Sequence, residues 1–254
     1  MTVEISSNVI VIAINLIVGI RLLKRGVDQG TLPELLLGGV LTFDGLEWLL
    51  WMLAFYTPLA ETPLAPYLTA GCRSGILLSN FCLVLFVRAV FRPTSSPALA
   101  FALGVALTSM TGLAVGIYLG DLTGFAADRI WLWLELGGTL LAYVWCFAEG
   151  AAYYANMRKR ARHGLADPIV TNRVLLWSGY GASGAITEML YMAGVGLAGA
   201  DGSYPFIFDA IMIVATTAGA LLILLAFFPP PIYLRWAAAN GAPTTEPLKT
   251  ATAE

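Results

Sequence analysis

Hydrophobic residues are concentrated in seven long runs, which short polar stretches separate. About 20 consecutive apolar residues cross the hydrocarbon core of a bilayer as a helix, and each run reaches or approaches that length. The runs cover approximately residues 6–24, 32–56, 66–91, 97–119, 128–157, 167–199 and 205–228. The pattern predicts an all-α integral membrane protein, with one seven-helix domain over residues 1–236. Small and polar residues dominate residues 237–254, which predicts a disordered tail.

The sixth run carries polar and bulky residues that recur at the three-to-four-residue spacing of one helical face. They are Arg173, Trp177, Tyr180, Gly184, Glu188 and Tyr191. A charge that faces lipid costs several kcal/mol unless it meets a partner or a water-filled cavity. This face is therefore predicted to point towards other helices, which carry complementary groups.

Composition supports the membrane assignment and adds little else. Only 12% of the 254 residues are charged, about half the usual fraction of a soluble domain. The amino terminus lacks the positively charged segment of a signal peptide, so the first run is expected to remain as a membrane helix. Cys72, Cys82 and Cys146 all fall inside apolar runs, where we expect small core residues rather than disulfides.

The positions of Lys and Arg predict the orientation. All of these residues except Arg73 and Arg129 lie at or beyond the ends of the first, third, fifth and seventh runs, or near the start of the sixth. Cytoplasmic loops are enriched in Lys and Arg. We therefore predict a multi-pass protein of the plasma (inner) membrane, with its amino terminus outside and its carboxyl terminus in the cytoplasm.

A weak internal similarity suggests a repeat. When Glu47 is aligned with Glu188, and the end of the third run with the end of the seventh, Arg73 falls opposite Asp209. Runs 1–3 and 5–7 would then form parallel repeats joined by run 4, an arrangement known among transporters. Because apolar helices match each other easily, chance is the competing explanation for this 3+1+3 plan.

Charged and polar residues inside the runs fall at two depths. The group nearer the outside has five carboxyl groups around one arginine, so some of these acids must be protonated, hydrated or paired with a bound cation. The simplest arrangement is a water-filled pocket that opens outward and binds a ligand. The predicted ligand-binding residues are Asp44, Glu47, Arg73, Asn80, Glu135, Glu188, Tyr191 and Asp209.

The group nearer the cytoplasm comprises Arg88, Glu149 and Arg173. A charge-assisted pair of Glu149 with Arg173 or Arg88 would tie helices together near the cytoplasmic interface. We predict this inner salt-bridge lock, with a structural role favoured over a switching role.

The residue types exclude several cofactors. A retinal Schiff base needs a buried lysine amine, but Lys24, Lys159 and Lys249 all lie outside the membrane spans. The only histidine, His163, lies in a basic loop, so haem and His-based zinc sites lack ligands. We expect no cofactor and no metal, and an enzyme is the least expected class. The net charge of −2 gives no reason to expect nucleic acid.

Three functions fit these features. The first is a receptor or sensor that binds a small polar or cationic ligand and signals to a cytoplasmic partner through the basic loop at residues 158–163; this loop would alternatively hold anionic lipid headgroups. The second is a small-solute or proton-coupled transporter, in which Glu47 and Glu188 are the coupling acids. The third is a structural subunit of a larger membrane complex.

Overall fold

The computed structural model describes residues 2–120, 129–197 and 206–241, and all regular structure in these ranges is helical. Eight α-helices follow one another, with one short 3-10 turn at Pro58–Glu61 after the second. The helices are α1 (Thr2–Gln29), α2 (Leu32–Tyr56), α3 (Ala65–Phe91), α4 (Ser96–Tyr118), α5 (Ile130–Arg162), α6 (Pro168–Leu197), α7 (Phe206–Phe227) and α8 (Pro231–Gly241). The predicted all-α class is confirmed.

Six of these helices are long and apolar enough to cross a membrane, namely α1 to α5 and α7. They indicate a multi-pass membrane protein. Helix α6 has 30 residues, which is ample length, but the polar and small residues along it keep it below the same apolar criterion. The count of seven spans and the orientation therefore stay predictions.

Six helices form a closed ring in the order α1, α2, α3, α5, α6, α7, because α7 packs back against α1. Helix α4 lies outside this ring and packs against α3 and α5. Consecutive helices run antiparallel, so α3 and α5 run parallel, as do α7 and α1. As a result, α1, α3, α5 and α7 begin at one end of the bundle, here called the amino-terminal end. The opposite end, called the basic end, carries the basic run of α5.

Glycines allow close approach of neighbouring helices. A Cβ atom added at Gly112 of α4 would lie 2.6 Å from the backbone oxygen of Trp131 on α5. One added at Gly181 of α6 would lie 2.6 Å from the backbone nitrogen of Phe147 on α5. Since backbone atoms cannot move aside alone, these two glycines set the distances between α5 and its neighbours.

The half of the ring nearer the basic end is filled with apolar side chains. Val18, Leu41, Val84 and Ile223, from four different helices, are all fully buried in one core cluster. Aromatic rings extend this packing across the ring: Trp177 of α6 contacts Phe86 of α3 and Phe227 of α7, with ring centroids 5.5 and 6.3 Å apart. This dry core closes the bundle towards the basic end.

Helix α8 corrects part of the predicted tail. It begins at Pro231, a residue that suits the first turn of a helix, and continues past Ala237 to Gly241, within the segment predicted to be disordered. Alanine has the highest helix propensity, which accounts for the extension. The side chain of Asn172 on α6 donates a hydrogen bond to Tyr233 and ties α8 to the bundle. The rest of the tail lies outside the described residues.

Candidate functional site

Two adjacent chambers, which share part of their lining, lie at the centre of the six-helix ring. The outer chamber has a volume of about 580 Å³ and extends towards the amino-terminal end. The inner chamber has a volume of about 100 Å³ and lies deeper, against the dry core. Every helix of the ring lines both chambers, whereas α4 lines neither. The cavity is therefore a property of the ring.

A neck joins the two chambers and carries two of the acids. It consists of the residues that line both: Glu47, Trp48, Ile76, Thr139, Thr187, Glu188 and Thr216. Glu47 and Glu188 come from α2 and α6, which are not neighbours in the ring. The neck thus places carboxyl groups from opposite parts of the ring on one path between the chambers.

The inner chamber is polar, and its amide groups already donate hydrogen bonds. Asn15 of α1 donates from Nδ2 to Oδ2 of Asp44 on α2, at 2.6 Å. Asn80 of α3 donates from Nδ2 to the hydroxyl of Thr139 on α5, at 2.7 Å. Each of these two bonds joins neighbouring helices of the ring at the inner chamber.

The Ser and Thr hydroxyls that line the inner chamber also donate their protons elsewhere. Each donates to a backbone carbonyl oxygen, four of them within their own helix and Ser79 to Val40 of α2. The other four are Thr139, Ser183, Thr187 and Thr216. A hydroxyl has a single proton to donate, so these groups present oxygen lone pairs to the chamber.

Acceptor atoms are consequently in excess in the inner chamber. Oδ1 of Asn15, a residue only 2% exposed, has no hydrogen-bond partner in the structure, and neither does the buried Oε1 of Glu188. The buried hydroxyl of Tyr180, a potential donor, also lines this chamber without a partner, so acceptors outnumber donors there but are not alone. The carboxyl groups of Asp44 and Glu47 add further acceptors to the lining. Buried polar atoms are normally hydrogen-bonded. The arrangement therefore matches a guest that donates hydrogen bonds and carries positive charge.

A buried arginine lies beside the outer chamber. Nη2 of Arg73 is 3.6 Å from Oε2 of Glu135, and each side chain is 4% exposed. The guanidinium carbon also lies 4.2 Å from the ring centroid of Trp131, a cation–π contact. Arg73 is thus held on α3 by two residues of α5, and its charge is directed at Glu135.

The outer chamber has one aromatic wall, formed by α2. Trp51 contacts Trp48, Phe55 and Tyr56, with ring centroids 5.6, 5.7 and 5.1 Å apart, and all four residues line the chamber. Apolar side chains of α3, α5 and α7 line it as well, including Ile76, Leu132, Leu136, Met212 and Ile213. A chamber with one aromatic wall therefore leads down to the neck, and charged residues such as Arg73 and Asp209 line it as well.

All eight residues predicted to bind ligand line these chambers. The outer chamber has Arg73, Glu135, Tyr191 and Asp209, the inner chamber has Asp44 and Asn80, and the neck has Glu47 and Glu188. Their role in binding stays a prediction. An aromatic rim of Trp48, Trp51, Trp131, Trp133 and Tyr191 is a further expectation from the sequence, and of these Trp131 and Trp133 are not part of the lining.

Sequence reasoning missed Asn15 and Tyr143, which also line the inner chamber. Asn15 is a lone amide in the middle of an otherwise apolar run, and that was the available signal. Tyr143 packs against Tyr180, with ring centroids 5.9 Å apart, but aromatic residues are too common in this chain for one to stand out.

The inner lock has a different pairing from the one predicted. Glu149 accepts hydrogen bonds at 3.0 Å on both carboxylate oxygens from Nε of Arg92, and neither Arg88 nor Arg173 forms an ion pair with it. The side chains of Arg92 and Glu149 are 55% and 17% exposed, so the pair lies at the surface. Arg88 and Arg92 are four residues apart on one helical face, which is why depth alone did not distinguish them.

Within residues 2–120, 129–197 and 206–241, no three His, Cys, Asp or Glu side chains are close enough to hold a metal ion together. Comparison of the chain with protein-family models, with curated proteins and with solved structures gives no match.

Proposed function

We propose that this protein binds a small cationic ligand, rich in hydrogen-bond donors, in the cavity at the centre of its helix ring. The excess of acceptor atoms around the inner chamber is the observation that carries this proposal. An ammonium group has three donors and no acceptor, so it complements Glu47, Glu188 and the Oδ1 atom of Asn15. The positions of the basic residues favour an extracellular opening for the outer chamber, in the plasma membrane.

In the receptor form of the proposal, binding is relayed through α5 and α6 to the basic end. Both helices line the cavity and extend to the basic end. The basic segment at residues 158–163, predicted as a loop, is the end of α5 up to Arg162, and it would contact a cytoplasmic protein or anionic lipid headgroups. This role requires no cofactor and no catalytic residue. The third possibility from the sequence, a purely structural subunit, requires no ligand at all.

Thermal unfolding of the purified protein in detergent micelles tests the binding step, with ethylammonium as the probe. We expect a concentration-dependent rise in the melting temperature, because a ligand that binds only the folded state stabilises it. Glu188→Gln should remove most of this rise. Glu149→Gln is the matched control, because it makes the same chemical change outside the cavity and should keep the full response. Equal responses of both variants, or none in the wild type, would contradict the proposal.

Transport is a second candidate, and the packing of the helices favours it. The contacts of α1, α2 and α3 have counterparts in those of α5, α6 and α7, and the junction of α3 with α5 corresponds to that of α7 with α1. In the repeat alignment Arg92 corresponds to Phe228. Arg92 contacts Glu149 on α5, the first helix of the second half. Phe228 contacts Arg21 on α1, the first helix of the first half. Helix α4, the presumed linker, lies outside the ring. Two equivalent halves around a central site are the usual plan of an alternating-access transporter.

Proteoliposomes distinguish transport from signalling. A transporter should move ethylammonium or protons into the vesicles, and the flux should be lost in both Glu47→Gln and Glu188→Gln. A receptor should show the thermal response without any flux. Substrate-dependent flux that survives both substitutions would contradict the assignment of the two acids.

A further inference from the structure

We infer that the ligand is an amine with a bulky apolar or aromatic body, such as an arylalkylamine, and that it binds with its ammonium group in the neck and its body in the outer chamber. This inference rests on the proposed function and adds the chemical class of the ligand. It follows from the different sizes of the two chambers and from the aromatic wall of the outer one.

The inner chamber and the neck suit only the head of such a molecule. A volume of about 100 Å³ holds an ammonium group with a few waters but not a drug-sized ligand, which needs about 300 Å³ or more. The free acceptor atoms lie here, on Asn15 and Glu188. Glu188 and Glu47 both line the neck, so an ammonium group there would lie between two acids.

The outer chamber suits a body of different chemistry. Its volume of about 580 Å³ lies within the range of small-molecule sites. Trp48, at the neck, and Trp51, one turn further out, present an aromatic wall directly beside the acids. Aromatic faces attract an ammonium group electrostatically and pack against an apolar body. A small inorganic cation would leave this wall in contact with water alone.

Charged groups at the outer chamber disfavour a ligand that carries a carboxylate in addition to its ammonium group. Arg73 would be the natural partner for a carboxylate, but it is already directed at Glu135 and lies over Trp131. Asp209 lines the same chamber and repels anions, whereas the charge of Glu135 is balanced by Arg73. The arrangement therefore favours a simple amine over an amino acid.

Two probes with the same head separate the contributions of head and body: ethylammonium and 2-phenylethylammonium. We expect the phenyl compound to bind wild-type protein at least about tenfold more tightly, because it buries additional apolar surface. Trp51→Ala should weaken binding of the phenyl compound much more than binding of ethylammonium, and should bring the two affinities to within about twofold of each other. Glu188→Gln should weaken both compounds. Trp236→Ala, on the exposed face of α8, is the matched aromatic control.

A series of alkylammonium ions of increasing alkyl length tests the same inference on wild-type protein. It can be measured even if the Trp51→Ala variant does not fold. Affinity of wild-type protein for primary alkylammonium ions should rise steadily from ethyl to hexyl. Equal affinity for all members, with binding still lost in Glu188→Gln, would overturn the inference and leave the proposed function intact. Failure of every amine to bind would overturn both. Tighter binding of phenylalanine than of 2-phenylethylammonium would overturn the preference for a simple amine.

Discussion

At the scale of single residues, the ion pair of Arg73 with Glu135 supports one side of the cavity. Both side chains are buried, and removing one partner of a buried pair leaves the other charge uncompensated, at a cost of about 3–5 kcal/mol. We expect Arg73→Gln to lower the melting temperature strongly. The double variant Arg73→Gln with Glu135→Gln should recover part of the loss, because no buried charge then remains unpaired. Additive effects of the two substitutions would show that the pair does not contribute as a unit.

A second prediction concerns the corrected partner of Glu149. A double-mutant cycle between Arg92→Gln and Glu149→Gln should give a coupling free energy of about 0.2–1 kcal/mol, the range for exposed ion pairs. The cycle between Arg88→Gln and Glu149→Gln should give a coupling near zero, and it serves as the control. Denaturant unfolding measures both cycles. Coupling of Glu149 to Arg88 instead would restore the pairing predicted from the sequence.

The sequence predicts which residues share one face of a helix, but not which residues of different helices are in contact. The polar stripe of α6 was identified correctly because a helix fixes the angle between successive residues, and Tyr180, Gly184 and Glu188 do line the cavity. Contacts between helices depend on how each helix is rotated about its own axis relative to its neighbours. The sequence does not define that rotation, so the contact of Asn15 with Asp44 was not predicted.

At the scale of secondary-structure elements, α4 is held to α5 by close approach at a glycine. Gly112→Ala should lower the melting temperature by several degrees, because its Cβ would meet the backbone of Trp131 and Glu135. Gly104→Ala is the matched control on the same helix, because no atom lies within 4 Å of its added Cβ. We expect Gly104→Ala to be neutral or slightly stabilising. Thermal unfolding of both variants is the measurement, and equal losses would contradict this packing.

The helix boundaries were largely predictable because apolar run length and proline positions determine them locally. Helix α2 was predicted over residues 32–56 and is observed over Leu32–Tyr56. The membrane character of α6 is less clear from composition, since its polar residues lower its hydropathy. Those polar residues belong to the face of α6 that lines the cavity, which accounts for their presence in this helix.

At the scale of the whole molecule, the ring and its cavity come from packing among helices distant in sequence. Helix α7 closes the ring against α1 through contacts such as the hydrogen bond of Ser7 with Thr217 at 2.8 Å. No local pattern predicts such a closure. The weak alignment of the two halves did predict α4 as a linker, and its position outside the ring agrees with that interpretation.

We propose that a hydrated cavity opens at the amino-terminal end, ends at the apolar core and binds an amine at its neck. Single-cysteine labelling in intact cells with a membrane-impermeant thiol reagent tests it most directly. Thr187→Cys, at the neck, is placed in a chain that also carries Cys72→Ala, Cys82→Ala and Cys146→Ala. Ile223→Cys, in the dry core, is the control in the same background.

We predict that the thiol at position 187 is labelled from outside, that 2-phenylethylammonium slows this labelling severalfold, and that the thiol at position 223 is not labelled. Labelling at neither position would contradict an open cavity. Labelling at position 187 that proceeds at the same rate with and without the amine would contradict binding at the neck.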